Sequence, residues 1–311
     1  MNKELMGALD ELEREKNISK ETLLDAIEQS LIQAYKNHFG KADNVHVTIN
    51  RETGDFSVYA DRKVVEFVED PAEEVSLVEA QKQNTNAEVG DILKVPVHSD
   101  KFGRIATQNA KNVILQKIRE EERKVLFDQY HGNEKEVVTG IVQRVVGHNV
   151  SVNLGKADAI LAENEQVKGE TFKPTERIKV YILEVKDTPK GPRILVSRTH
   201  PGLVKRLFES EVAEVKDGTV EIKSIAREAG SRTKLAVWSN DPDVDPVGAC
   251  VGVNGARVSA IVNELRGEKI DIINWDENPA ILIENALSPA KVIAVMADPD
   301  EKTALVVVPD Y

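Results

Sequence analysis

Apolar and polar positions near the start of the chain recur at helical spacing. Leu5, Met6, Leu9 and Leu12 fall on one face of a short amphipathic helix. A second helix is better marked. Ser19 can cap it and Glu21 sits in its first turn. Leu23, Leu24, Ile27, Leu31, Ala34 and Tyr35 make one apolar face, and Gly40 offers a left-handed stop. The period then changes to two. Residues 45–49 and 56–67 alternate around Thr53-Gly54-Asp55 and predict a hairpin, with a third strand at 92–97. From about residue 104 to 130 there is neither Pro nor Gly, and Ala106, Ala110, Val113, Ile114, Ile118, Val125 and Leu126 return to helical spacing. This helix, roughly 40 Å long, stops at His131-Gly132-Asn133. It is either a rigid spacer between two working ends or a core helix closing the first domain.

Beyond it the pattern shortens. Residues 137–145, 149–154, 159–161, 177–185 and 193–197 read as five strands, with Gly147-His148 at the first turn and Gly155 closing the second strand. Five short strands with Gly at the corners suit a small OB-type barrel. The next block reads helix (202–213), strand (219–226), strand (233–238), helix, Gly-x-x-Gly, helix (256–266), strand (269–273). Residues 279–287, 291–297 and 303–308 begin the same order again, helix then two strands. The chain therefore carries an internal repeat whose second copy is expected to be cut short at Tyr311, before its own Gly-x-x-Gly.

A chain of 311 residues exceeds what one core usually serves, so two to four domains are expected. The lone Cys250 excludes a disulfide framework. No apolar run is long enough to span a bilayer, and the N-terminus lacks the apolar stretch of a signal peptide, so the expected compartment is the cytoplasm. The formal charge of -12 argues at first against nucleic acid. Its distribution changes that. Residues 1–130 hold 18 basic and 25 acidic side chains, whereas residues 131–199 hold 11 and 9. The positives of the second block gather late, at Lys168, Lys173, Arg177, Lys179, Lys186, Lys190, Arg193 and Arg198. They read as a backbone-tracking surface or as a solvated face. The acidic first block suits a protein partner with a basic face better than RNA.

The most informative segment is Gly252-Val253-Asn254-Gly255, set between two helices. Two glycines let the backbone turn sharply and leave no Cβ to block a sugar-phosphate strand. The N–H groups opening the next helix then favour anions. KH modules clamp about four nucleotides in this way. Asn254 and Arg257 are the expected polar contacts. On the barrel, His148 at the first turn and the cations Lys173, Arg177, Lys190 and Arg193 are candidate contacts for a single strand. Phe172 and Tyr181 are possible stacking partners, although Tyr181 lies in Val180-Tyr181-Ile182-Leu183 and equally fits a core. Enzymatic chemistry finds little support. The histidines His38, His46, His98, His131, His148 and His200 show no metal-ligand spacing. Asp241-Pro242-Asp243-Val244-Asp245 lacks the glycine and distal Glu of a calcium loop and reads as a turn. Cys250 reads as a buried, inert thiol. No dinucleotide or Walker-type motif is present.

With these segments in place the chain resembles, over its whole length, the NusA family of bacterial transcription termination/antitermination factors. The likeness is carried by 245–252 (DPVGACVG), 263–271 (NELRGEKID), 285–290 (NALSPA) and, in the barrel, Ile194-Leu195-Val196-Ser197-Arg198, which looks like the last strand of an S1 domain. The resemblance implies a multidomain α+β chain: an N-terminal α/β head with a long helix (1–131), an S1 (OB-type) β-barrel (132–199), a type II KH domain (200–277) and the start of a second KH domain (278–311). It implies a first domain that binds the RNA polymerase core, RNA modules that contact nascent single-stranded RNA, and effects on pausing, termination and antitermination. Other Nus-type elongation factors are further expected partners. No cofactor, metal or membrane is expected, and the chain is expected to be a monomer. The alternative is an accessory RNA-binding module of RNA turnover or translation. Polynucleotide phosphorylase also carries KH and S1 modules, but in the reverse order and behind large catalytic domains. A translation-linked S1 protein would show repeated barrels.

Overall fold

The structure, a computed structural model, describes residues 2–16, 18–39, 43–97 and 100–310. Gly40, the expected stop of the second helix, lies outside the described residues. The chain divides into two compact units, Met1–Val125 and Leu126–Tyr311.

In the first unit, helices α1 (Asn2–Lys16) and α2 (Lys20–Phe39) lie on a four-stranded sheet. Ser19 takes the capping position, its Oγ 3.5 Å from the Thr22 N–H and its carbonyl accepting from Leu23. The predicted hairpin forms from β1 (Val45–Ile49) and β2 (Phe56–Val65), with Val47 opposite Val58. Because side chains alternate along a strand, β1 sends Val45, Val47 and Ile49 into the core and leaves His46 and Thr48 outside. They meet Leu9, Leu23, Leu24, Ile27, Leu31 and Tyr35 of the helices. The expected third strand, β4 (Ile92–Pro96), pairs with β2. Two elements were not foreseen: β3 (Glu74–Ser76), parallel to the end of β2, and α3 (Leu77–Gln83), capped by the Ser76 hydroxyl at the Glu79 N–H. They enclose a second small core of Val64, Val75, Ala80, Ala87 and Val95.

The long helix α4 (Asp100–His131) begins earlier than predicted, running through Gly103, and its 32 residues span about 48 Å. It proves to be a core helix at both ends. Ala110, Val113, Ile114 and Ile118 join the core of the first unit, whereas Leu126, Phe127 and Tyr130 join that of the barrel.

The second unit opens with the barrel. All five predicted strands form: β5 (Val137–Val146), β6 (Asn149–Asn153), β7 (Asp158–Leu161), β8 (Arg177–Lys186) and β9 (Arg193–Ser197). They close in the order β5-β6-β7-β9-β8, with β8 returning to β5. Val142, Val150, Val152, Leu161, Ile178, Val180, Ile182, Ile194 and Val196 fill the interior.

The block after it has the element order α5 (Pro201–Glu211), α6 (Ala213–Lys216), β10 (Val220–Glu228), β11 (Arg232–Ser239), α7 (Pro246–Val251), α8 (Ala256–Glu264), β12 (Lys269–Asn274). The single helix expected at 202–213 is thus two, divided at Val212, whose buried side chain and extended backbone turn the chain. β10 and β11 are antiparallel, while β11 and β12 are parallel. Parallel neighbours need a crossover, and that crossover carries α7, the Gly-x-x-Gly turn and α8. Leu203, Leu207, Phe208, Leu235, Val237, Cys250 and Ile261 form the core beneath. The repeat follows as α9 (Pro279–Leu287) and the hairpin β13 (Ala294–Asp298) and β14 (Thr303–Val307), its first strand starting three residues later than expected. No helix among the described residues is long and apolar enough to cross a membrane.

Candidate nucleic-acid interface

The Gly-x-x-Gly segment is a tight left-handed turn. Asp245 caps α7 at the Val247 N–H, and Gly252 closes that helix with its N–H on the Gly248 carbonyl. Gly252, Asn254 and Gly255 have φ of 75°, 52° and 73°. L side chains pay a steric penalty there, least for Gly and then Asn, which is why these residue types occupy these positions. The Gly255 N–H returns to the Gly252 carbonyl at 3.1 Å, and α8 starts at once at Ala256. Val253 is 83% exposed and Asn254 is exposed beside it. A backbone can therefore approach the turn and the N-terminal end of α8, where the helix dipole favours an anion.

Arg257 does not take the position expected of it. Its guanidinium donates to the Ala249 carbonyl at 2.6 Å and to Glu214 on α6 at 2.9 Å. Its aliphatic stem lies under Gly252, where a Cβ would come within 2.7 Å of the Arg257 Cγ. Arg257 thus braces the turn from behind instead of reaching out from it.

The barrel candidates separate into free and committed groups. His148 is well exposed at the first turn, with Nδ1 3.7 Å from Glu163. Lys173, Arg177, Lys190 and Arg193 are all exposed. Arg198 leaves the expected basic surface. It is 1% exposed and its guanidinium is held by Glu170, by the Lys179 carbonyl and by the Glu264 carbonyl. Tyr181 is core. It is buried beneath α5 and stacks on His200 with ring centres 4.6 Å apart, close enough that a Cβ on Gly202 would meet its ring at 2.5 Å. Burial pushes its phenol above the ordinary range. Phe172 is half-buried under the Arg266 guanidinium, 5.2 Å from its ring centre, so its face is already covered.

Several residues with no prediction attached turn out to join the barrel to the next block. Arg266 donates to the Thr171 carbonyl at 2.6 Å and to Glu176 at 3.0 Å, and the Lys179 N–H donates to Glu264 at 3.2 Å. Within the block, Glu268 and Arg227 form a two-pronged pair, both 1% exposed, and Glu268 also accepts from Thr233 and the Gly230 N–H. Their partners lie 35 to 95 residues apart in sequence, so no local pattern signals them. Trp238 and Trp275 form an edge-to-face pair 5.8 Å apart on the sheet, with the Lys223 ammonium over Trp275.

The acidic run and Cys250 are held within the fold. Asp241 accepts the Asp243 N–H and Asp245 the Val247 N–H, so the acidic run shapes a turn. No group of three or more metal-ligating side chains is found among the described residues. Cys250 is fully buried, and burial first, then Glu214, pushes its thiol up to about 11.

A closed five-stranded OB-type barrel, followed by a helical crossover with a left-handed Gly-x-x-Gly turn on a three-stranded sheet, defines an RNA-binding protein of S1 and type II KH architecture. Residues 4–124 match the family described as NusA N-terminal domain, residues 132–197 the S1 RNA binding domain, and residues 198–275 the NusA-like first KH domain. The transcription termination/antitermination protein NusA of Bacillus subtilis is 54% identical over 311 residues, covering 100% of this chain and 84% of the relative. Its counterparts from Halalkalibacterium halodurans and Thermus thermophilus are 52% and 41% identical, covering 100% and 98% of this chain and 81% and 82% of those proteins. The chain belongs to the NusA family.

Proposed function

We propose that this chain binds RNA polymerase through its first domain and nascent single-stranded RNA through its barrel and KH module, and thereby modulates pausing, termination and antitermination. The domains run 1–131, 132–199, 200–277 and 278–311, and the chain acts as a monomer without enzymatic chemistry or cofactor. The names of the relatives support the transcriptional role. The polymerase half is supported by chemistry on the lobe built around β3 and α3. Phe67, Val78, Val89 and Ile92 are 52–85% exposed there, among Glu66, Glu69, Glu79, Glu88 and Asp91. An exposed apolar group with an acidic rim suits a protein partner with a basic surface.

The observation that carries the RNA half is the left-handed turn at 252–255 at the head of α8. Gly252, Val253, Asn254 and Gly255 form the clamp, with Arg257 as its brace. His148, Lys173, Arg177, Lys190 and Arg193 extend the contact over the barrel. Titration of the full chain with labelled single-stranded RNA tests this. Gly255→Asp places a carboxylate where the phosphates lie and should lower affinity about tenfold or more; an unchanged titration overturns the clamp.

A further inference from the structure

A groove runs between the barrel and the helices α5 and α6, and nothing above assigns it a role. Thr139 and Lys179 line the barrel side, and Ser210 and Lys216 line the helical side. At one end Arg206 holds both acids of the groove, Glu136 at 2.8 Å and Glu209 at 2.5 Å. Lys179 and Lys216 make no ion pair with any described residue. The groove therefore presents two free ammonium groups and two hydroxyls, and its three cations outnumber its two carboxylates, both of which Arg206 holds.

Its position matters as much as its lining. Along β8 the residues Tyr181, Lys179 and Arg177 point to the outer face in turn. Tyr181 is buried under α5, Lys179 stands half-buried in the groove, and Arg177 is exposed beyond it. The groove thus opens onto a cation already placed on the barrel surface. Toward its other side, α6 carries Glu214, the partner of the Arg257 brace behind Gly252. Helix α8 measures the gap. Its first residue adjoins the turn, and Glu264 at its last turn accepts the Lys179 N–H. Nine residues of helix span about 14 Å, a distance that a few nucleotides of extended strand cover.

We propose that this groove is a phosphate-binding channel that carries single-stranded RNA between the Gly-x-x-Gly turn and the barrel. Lys179 and Lys216 flank the sugar-phosphate backbone, and the Thr139 and Ser210 hydroxyls donate to its oxygens. Such contacts position a strand without reading its sequence. The inference rests on the RNA-binding role proposed above.

The test uses the full chain with Lys179→Gln/Lys216→Gln, and with Lys179→Arg/Lys216→Arg as the charge-retaining control. The ligands are an oligouridylate of about 16 nucleotides, long enough to bridge both modules, and one of about four, enough for the turn alone. The glutamine variant should bind the longer RNA about three- to tenfold more weakly and reduce the slope of log K against log salt by about 1.4, at about 0.7 per lost phosphate contact. The shorter RNA should bind unchanged, and the arginine variant should behave as the parent. Unchanged affinity and slope for the longer RNA overturn the channel, as does an equal loss for both RNAs, which would move the lysines to the turn. Gly255→Asp run in parallel separates the failures. If it weakens binding and the glutamine variant does not, only the channel falls; if neither does, the RNA-binding role itself falls.

Discussion

Arg198 and Glu170 meet in a two-pronged ion pair, with Nε–Oε2 and Nη2–Oε1 both at 2.6 Å and side-chain exposures of 1% and 5%. The same guanidinium donates to the Lys179 carbonyl on β8 and to the Glu264 carbonyl at the end of α8. One side chain therefore fastens a barrel loop, a barrel strand and the helix that follows the Gly-x-x-Gly turn.

Removing one partner of such a pair leaves the other charge buried and costs about 3–5 kcal/mol, whereas replacing both by apolar groups is often near neutral. Arg198→Met is predicted to lose stability on that scale, because the next cation from Glu170, the Arg266 Nε, is 4.0 Å away and half committed elsewhere. Arg198→Met/Glu170→Met should lose clearly less. Denaturant unfolding of both variants checks this, and a double variant as unstable as the single would count against it.

Gly252 and Gly255 are predicted to tolerate alanine unequally. Both have positive φ, which costs a Cβ-bearing residue about 1–2 kcal/mol in the left-handed region of Gly255 and more at Gly252, whose ψ of 172° lies where essentially only Gly is found. At Gly255 the nearest atom to a new Cβ is 3.9 Å away, so that is the whole penalty. At Gly252 the Cβ also displaces the Arg257 stem at 2.7 Å. Gly252→Ala should therefore unfold at lower denaturant than Gly255→Ala, and equal midpoints would contradict the bracing role of Arg257.

Stability should depend on Glu268 at acid pH. Burial pushes its carboxyl up, but Arg227, Thr233 and the Gly230 N–H together hold it below the ordinary 4.5. A carboxyl depressed in the folded state contributes stability above its unfolded pKa and loses it as pH falls through the folded value. The parent chain should thus lose stability faster below pH 4.5 than Glu268→Gln, whose side chain cannot titrate. Thermal melts from pH 7 downward give the slopes; parallel slopes would refute the assignment.

Cys250 is predicted to stay unmodified in the native protein. With the thiol held up to about 11 by burial, little thiolate forms at pH 8. Alkylation by iodoacetamide should follow the rate of unfolding, and rapid labelling of the folded chain would contradict this.

Much of this organisation was legible in the sequence because it is written in local periods. The five barrel strands alternate, Pro or Gly punctuates their turns, and the Gly-x-x-Gly segment lies between two recognisable helices. What was missed is short or non-local. β3 is three residues long and α3 seven, too few to show a period. Gly103 hid the first turn of α4, which the helix absorbs. Arg198 and Arg257 are surface-type residues, and only the folded chain brings Glu170, Glu264 and Glu214 to them. Tyr181 was ambiguous for the opposite reason: a strand in a barrel has two faces, and its outer face became core only once α5 covered it.

The function proposed for this chain is to hold polymerase at one end and RNA at the other. Its most direct test immobilises RNA polymerase core, adds the chain with labelled single-stranded RNA, and measures the RNA retained. Retention should require the chain, fall with Gly255→Asp while the protein itself stays bound, and fall again when excess residues 1–131 displace the chain. RNA retention unaffected by either change, or no retention above polymerase alone, would contradict it.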